Sequence, residues 1–123
     1  MLTLVVLTVL GLIFGSFVNA LVWRVHEKKG IVAGRSQCVR CGHQLSPADL
    51  VPILSWMRLR GRCRYCSQSI SLQYPLVEIA CAVVFVASYY FWPTIVVGGQ
   101  WLLLASWLSV SVGLLALAVY DLR

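Results

Sequence analysis

Three long runs of apolar residues dominate the hydrophobic pattern of the chain. The first run, residues 2–23, holds 22 residues without an ionisable side chain, and as a helix it would cover roughly 33 Å, enough for the roughly 30 Å hydrocarbon core of a bilayer. The second run, residues 72–92, contains one acid, Glu78, and the third, residues 101–120, contains none. The pattern predicts an all-α polytopic membrane protein with three transmembrane helices.

Composition and charge agree with this prediction and suggest an orientation. Of the 123 residues, 60% are hydrophobic and 11% are charged, which is too apolar for a soluble domain of this size. Nine of the ten Lys and Arg lie in the loop 24–71, whereas the link 93–100 carries no charge. The positive-inside rule therefore predicts a cytoplasmic loop and an external N-terminus. A cleaved signal peptide is disfavoured, because the first run lacks a basic start and is too long.

The basic loop contains two CxxC motifs, formed by Cys38 with Cys41 and by Cys63 with Cys66. Each motif can direct two sulfurs at one point, and two such knuckles supply the four ligands of tetrahedral zinc. Because cytoplasmic thiols stay reduced, the pattern predicts a small zinc-knuckle domain between the first two spans. A disulfide pair, a redox-active CxxC and bound iron remain alternatives, whereas Cys81 in the second span is given no role.

The rest of the loop suggests helical and membrane-surface features. Ser46, Pro47 and Asp49 form a typical helix start, in which Ser46 caps and Asp49 favours the positive end of the helix dipole. The apolar run 50–57 predicts a short surface helix, kinked or shortened by Pro52. Four arginines then follow at alternate positions, and attraction to anionic lipid explains them better than binding to nucleic acid. The membrane is therefore the expected partner, and no nucleic acid is expected.

Polar and small residues inside the spans indicate helix contacts. Gly11, Gly15 and Asn19 follow one another at four-residue steps, so one face of the first helix is small and then polar, which favours close helix packing. Asn19 can form a hydrogen bond with a neighbouring span. Glu78 is an acid inside a span, which is energetically expensive and normally faces protein, a cavity or the interface. Its role, functional or structural, stays open at this point.

Asp121 lies at the predicted cytoplasmic end of the third span. An aspartic protease needs two carboxylates that share a proton around a water, so that one acts as base and the other as acid. The sequence offers no second aspartate at a membrane end, since the capping role accounts for Asp49.

Several stretches together resemble the bacterial prepilin leader peptidase and N-methyltransferase family. The resemblance covers five stretches. They are the end of the first span (residues 15–19, with Arg24), the two CxxC motifs (Cys38 to Cys66), the segment that leads into the second motif (residues 59–64), the opening of the second span (residues 74–78) and the start of an aspartate motif (Asp121 with Leu122). Departures are modest: Val39 and Arg40 stand where a proline often follows the first cysteine, and His26 replaces another frequent proline.

The resemblance implies a multi-pass enzyme of the bacterial inner membrane that cleaves the leaders of type IV prepilins or pseudopilins. It also implies methylation of the new amino terminus with S-adenosylmethionine as cofactor. Asp121 would be the first of two catalytic aspartates, and residues 121–123 would begin a truncated motif. The second aspartate would belong to a missing region or a partner chain, so we expect no proteolysis by this chain alone. The alternatives are a non-enzymatic zinc-knuckle scaffold of pilus or secretion assembly and a thiol-redox membrane protein.

Overall fold

The computed structural model describes residues 1–30, 35–93 and 95–122. Three long helices and one short one form the architecture, together with a 3-10 turn at Pro47–Asp49: α1 Leu2–His26, α2 Leu54–Arg58, α3 Gln73–Tyr90 and α4 Gln100–Asp121. In those described ranges no β-strand forms, and two isolated β-bridges occur in the loop between α1 and α3. The helices α1, α3 and α4 are long and apolar enough to cross a membrane. The prediction of an all-α multi-pass membrane protein with three long apolar helices is confirmed.

The helices α1 and α3 pack antiparallel at very close range. A methyl group at Gly15 would lie 2.5 Å from the Cα atom of Glu78, and one at Gly11 would collide with the backbone of Ala82. Glycine at these two positions therefore lets the two backbones touch, as small residues do between transmembrane helices. The contact fixes which residues of α3 face α1, and Glu78 is one of them.

The helix α4 runs parallel to α1 and completes the bundle. Away from the cysteine loop, its buried leucines pack in a cluster formed by Leu7, Cys81, Phe85, Leu104 and Leu108. Next to the loop, a second cluster is built from valines of all three helices: Val18, Val22, Val77 and Val119. The faces turned away from these clusters are apolar and exposed, for example Leu102 and Leu114, as expected for surfaces in contact with lipid.

The observed helix ends differ slightly from the apolar runs. The helix α1 continues three residues beyond Trp23 to His26. Arg24 and His26 occupy its last turn, where a positive charge interacts favourably with the negative end of the helix dipole. The helix α4 includes Asp121 as its last residue.

The apolar run 50–57 forms much less helix than its composition suggests. The helix α2 begins only at Leu54, because Pro52 and the left-handed Ile53, with φ of 58°, interrupt the preceding segment. The predicted helix start at Ser46 forms only the 3-10 turn Pro47–Asp49, in which the Ser46 amide and hydroxyl donate to the Asp49 carboxylate at 3.2 and 2.8 Å.

Candidate functional site

The first CxxC motif forms a tight knuckle closed by backbone hydrogen bonds. The amide of Cys38 donates to the carbonyl of His43 at 2.9 Å, and the amide of Gly42 donates back to Cys38 at 2.9 Å. A hydrogen bond of 2.8 Å from the Leu45 amide to the Ser36 carbonyl closes the base of the knuckle. Gly42 has a φ of 70°, in the left-handed region that glycine adopts most easily. The turn thus directs both thiols of the motif towards one side.

The second motif repeats this hydrogen-bond pattern in the same relative positions. The Cys63 amide donates to Gln68 at 2.9 Å, the Ser67 amide to Cys63 at 3.0 Å, and the Ile70 amide to Gly61 at 2.7 Å. Ser67 takes the place of the glycine of the first knuckle and has a φ of 58°. A residue with a Cβ atom is strained in this region, so the second knuckle forms at a higher conformational cost.

The two knuckles bring four sulfurs together. The Sγ atoms of Cys38, Cys41, Cys63 and Cys66 all lie within 4.8 Å of one another, and those of Cys38 and Cys66 are 3.9 Å apart. A tetrahedral zinc ion with bonds of about 2.3 Å requires sulfurs about 3.8 Å apart, so the arrangement fits a four-thiolate metal site. None of these cysteines forms a disulfide. The four cysteines could therefore hold a metal ion, as the sequence predicted.

The close approach of the thiols also affects their protonation. The Gln68 amide lowers the pKa of Cys66, but desolvation and the three neighbouring thiols together raise it to about 11. Four thiolates at this separation repel one another, and a divalent cation is the natural source of compensating charge.

Side chains outside the cysteines hold the two knuckles against each other. The ring of Tyr65 lies on the imidazole of His43, with ring centroids 3.8 Å apart, and its hydroxyl is 3.4 Å from the Asp49 carboxylate. Arg64 forms an ion pair with Asp49 at 2.7 Å. Arg64 and Tyr65, which lie between the two cysteines of the second motif, thus bind the segment that follows the first motif.

Asp49 is held in the ionised form by this arrangement. Burial raises the pKa of its carboxyl group, but hydrogen bonds from Ser46 and the charge of Arg64 outweigh burial and leave the pKa below its usual value. The side chain of Asp49 is 2% exposed and all its contacts lie in the loop. Asp49 therefore has a structural role, which extends the capping role expected from the sequence.

A cavity of about 540 Å³ lies between the loop and the end of the bundle nearest to it. The loop side includes Cys38, Cys63 and the indole of Trp56, and the bundle side includes Asn19 and Glu78. Its volume falls in the usual range of small-molecule sites. The indole nitrogen of Trp56 donates to the carbonyl of Ile70 at 3.3 Å, which helps to fix the loop wall.

Polar groups from both long helices meet at the bundle side of the cavity. The Glu78 carboxylate accepts a hydrogen bond of 2.7 Å from the Ile53 amide. The side-chain nitrogen of Asn19 donates to the Tyr74 carbonyl at 3.0 Å, while its oxygen is buried without a hydrogen-bond partner in the described structure. The expected contact between Asn19 and a neighbouring span is thus present.

Asp121 lies at the same end of the bundle as the cysteine loop. The ring of Tyr120, next to it, packs edge-on against His26 at the end of α1, with centroids 6.1 Å apart. Asp121 itself is exposed. Among the described residues, no other carboxylate forms a pair with it.

Comparison with known proteins connects these features to a family. Residues 9–92 match the bacterial peptidase A24 N-terminal domain, a region that includes both knuckles, the cavity residues and Glu78. The chain belongs to the bacterial peptidase A24 family. The resemblance noted in the sequence is confirmed. No solved structure matches the chain significantly.

Relatives in the A24 family are named for prepilin processing. A "Prepilin leader peptidase/N-methyltransferase" of Myxococcus xanthus is 49% identical over 83 residues, which are 68% of this chain and 25% of the relative. A "Type 4 prepilin-like proteins leader peptide-processing enzyme" of Escherichia coli is 35% identical over 126 residues, or 83% of this chain and 47% of the relative. A third relative, from Stutzerimonas stutzeri, is 31% identical over 92% of this chain and 45% of its own length. The chain thus spans about half or less of these relatives.

Two contacts of the site leave no signal in the sequence. The ring pair of His43 and Tyr65 had no signal, because the CxxC spacing identifies the cysteines and not the contacts of the residues within or beside the motif. The hydrogen bond from Ile53 to Glu78 also could not be predicted, since the positive φ that positions the Ile53 amide is not expected at isoleucine. Only the presence of an acid in an apolar span pointed to Glu78.

Proposed function

We propose that the chain supplies the metal-binding loop and one catalytic aspartate of a prepilin leader peptidase in the bacterial inner membrane. The substrate would be a type IV prepilin or pseudopilin, whose leader is cut at the membrane surface. The names of the A24 relatives support this proposal. The position of Asp121 carries it, because this residue ends α4 on the side of the bundle that bears the cysteine loop.

Peptide cleavage needs a second carboxylate beside Asp121. One aspartate takes a proton from the attacking water while the other protonates the substrate, which requires two carboxyl groups in close contact. The chain has four acidic residues in total. The carboxylate of Asp49 already accepts a hydrogen bond from Ser46 and forms an ion pair with Arg64. We infer that the second aspartate comes from another segment of the same protein or from a partner chain.

We propose that the loop faces the cytoplasm, because nine of the ten Lys and Arg lie between Arg24, in the last turn of α1, and Arg64. Asp121 then lies on the cytoplasmic side as well. Single cysteines placed at the exposed Leu50 and Val97 test this orientation. In intact cells, an impermeant thiol reagent should label the Val97→Cys protein and spare the Leu50→Cys protein.

The metal is proposed to be zinc, with a structural role. Its four thiolate ligands would leave no open coordination position for catalysis. It would hold the two knuckles together and so shape the cavity beneath them. S-adenosylmethionine would supply the methyl group for N-methylation of the processed amino terminus.

Replacement of Asp121 tests the peptidase proposal. In the source bacterium, Asp121→Asn should abolish prepilin cleavage, seen as accumulation of the uncut form on an immunoblot. Glu27→Gln is the matched control, since Glu27 is an exposed acid at the same end of the bundle. Full cleavage by the Asp121→Asn protein would refute the proposal and favour the zinc-knuckle scaffold of pilus or secretion assembly.

A further inference from the structure

We propose that α2 and an apolar groove beside it form a binding site for one anionic phospholipid, with the lipid phosphate at Arg58 and Arg60 and an acyl chain along α1 and α3. The helix α2 supplies the headgroup end of the site, and the groove supplies the acyl-chain end. Asp121 does not line the groove, so this inference is independent of the peptidase proposal.

One face of α2 is exposed and mostly apolar. Leu54, Met57 and Arg58 are three and four residues apart, so their side chains share this face. Leu54 and Met57 are 66% and 62% exposed. Trp56 points away from this face, and its indole donates to the Ile70 carbonyl, which holds α2 against the second knuckle. The exposed face is therefore available to enter the boundary between headgroups and acyl chains.

The docking of the loop brings this face to the lipid-facing side of the bundle. The amide of Ile53, directly before α2, donates to the Glu78 carboxylate at 2.7 Å. Glu78 belongs to the second turn of α3, and Leu76 and Ile79 in the same turn are exposed apolar residues. The loop thus packs against the side of an apolar span, and not only against its end. We place α2 at the level where headgroups meet acyl chains.

An open apolar groove of about 590 Å³ begins at Ile53 and continues along α1 and α3. Its α3 wall extends from Ile79 to Tyr90, which is roughly 16 Å at the rise of an α-helix. The hydrocarbon of one leaflet is about as thick, half of roughly 30 Å. Thr8, on the α1 wall, already donates its hydroxyl to the Leu4 carbonyl. This wall therefore presents apolar surface, and an acyl chain suits both the length and the chemistry of the groove.

The charge at the loop end of the groove favours a lipid over another apolar helix. Arg58 and Arg60 are exposed, and neither forms an ion pair in the part of the chain that the structure describes. A guanidinium group binds phosphate oxygens with two parallel hydrogen bonds, while the aliphatic part of arginine lies along apolar surface. An apolar helix offers these cations no negative charge. An anionic phospholipid carries the phosphate and the acyl chain in one molecule.

The test measures lipid binding to the full-length protein, extracted from its membrane in a mild detergent. The protein is titrated with phosphatidylglycerol or with phosphatidylcholine of the same acyl chains, and native mass spectrometry counts the lipid molecules that remain bound. We expect one saturable site that binds the anionic lipid at least fivefold more tightly than the zwitterionic one, since each basic residue near a headgroup contributes about that factor.

Substitutions of arginine test the headgroup end. Arg58→Gln and Arg60→Gln should each reduce the preference for the anionic lipid about fivefold, because each removes one charge. Arg40→Gln is the matched control. Arg40 is also an exposed arginine of the loop, but it lines the cavity beneath the loop and not the groove, so the preference should stay unchanged.

Substitutions of valine test the acyl-chain end. Val83 lines the groove and is 59% exposed, so phenylalanine fits there without displacing a buried neighbour. Val83→Phe should weaken the binding of both lipids, because the ring occupies the space of the acyl chain. Val110→Phe is the matched control, since Val110 is 57% exposed on α4 and does not line the groove.

Three results would overturn the inference. The first is equal affinity of the wild-type protein for the two lipids, and the second is binding that neither Arg58→Gln nor Val83→Phe changes. The third is the absence of a saturable lipid site together with a lower unfolding temperature of Val83→Phe than of Val110→Phe. That result would show that another helix of the same protein, and not a lipid, covers the groove.

Discussion

The amide of Ile53, in the cysteine loop, donates a hydrogen bond of 2.7 Å to the Glu78 carboxylate within α3. Ile53 has a φ of 58°, which is unusual for a β-branched residue and requires support from its surroundings. The bond therefore anchors the loop to the helical bundle at a point where the loop backbone is strained. Glu78 thus has a structural role in docking the loop onto the bundle.

The first prediction concerns this anchor. Glu78→Leu should loosen the loop, because the Ile53 amide would be left without its acceptor at a cost of about 1–3 kcal/mol. Hydrogen exchange at residues 50–58 should become faster. Glu78→Gln is the matched control, since its amide oxygen still accepts the bond and exchange should change little. Equal exchange in all three proteins would show that the contact does not hold the loop.

A second prediction concerns the close contact of α1 and α3. Gly15→Ala should lower the unfolding temperature, because the added methyl group would lie 2.5 Å from Glu78 Cα and 3.0 Å from the Val77 carbonyl oxygen. Overpacking of this kind costs about 1–3 kcal/mol.

The helix α4 offers the control for this change. A methyl group at Gly113 meets no atom within 4 Å, so Gly113→Ala should keep or raise the unfolding temperature, given that alanine favours a helix over glycine by about 1 kcal/mol. Thermal unfolding in one detergent compares the two. If Gly15→Ala is as stable as Gly113→Ala, the helices do not pack as closely as described.

The hydrophobic pattern predicted the three long helices because their apolar runs are long and contain almost no charge. The four-residue spacing of the glycines predicted that the face of α1 around Gly15 packs closely against another helix, because residues four apart share a helix face. The helix ends differ from the ends of the apolar runs, because α1 continues past Trp23 to His26 and α4 includes Asp121. Helix termini depend on local capping and on one or two polar residues, which a hydrophobic run does not define.

The metal site was accessible to prediction for a different reason. A CxxC spacing nearly determines the turn that contains it, so Cys38, Cys41, Cys63 and Cys66 identified the knuckles without knowledge of the fold. The cavity could not be predicted from the sequence, because it depends on where the loop docks against the bundle. That docking uses the Ile53 conformation and other long-range contacts that leave no periodic signal in the sequence.

The third prediction concerns the metal. Purified protein should contain about one zinc per chain, and Cys63→Ser should lose it, because a serine hydroxyl does not replace a buried thiolate ligand. Cys81→Ala is the control, as Cys81 is equally buried but packs in the apolar core away from the other sulfurs. Elemental analysis gives the stoichiometry and distinguishes zinc from iron. Wild-type protein with four reactive thiols and no metal would instead support a redox role.

The final prediction uses the equivalence of the two knuckles. Gly42 and Ser67 occupy the same position of the turn, with φ values of 70° and 58°. Ser67→Gly should therefore stabilise the metal-bound loop by about 1 kcal/mol, and Gly42→Ser should destabilise it by a similar amount. A side chain at Gly42 meets no neighbouring atom, so its backbone conformation alone sets the cost.

The rate of zinc transfer to a chelator measures both effects. Ser67→Gly should release zinc more slowly than wild type and Gly42→Ser faster, whereas the double variant should release it at nearly the wild-type rate if the two turns act independently. Ser67 also donates its backbone amide to Cys63, and glycine retains that donor, so no hydrogen bond is lost in the exchange. A shift of both single variants in the same direction would mean that the turns are not equivalent and that side-chain contacts, rather than backbone strain, control metal retention.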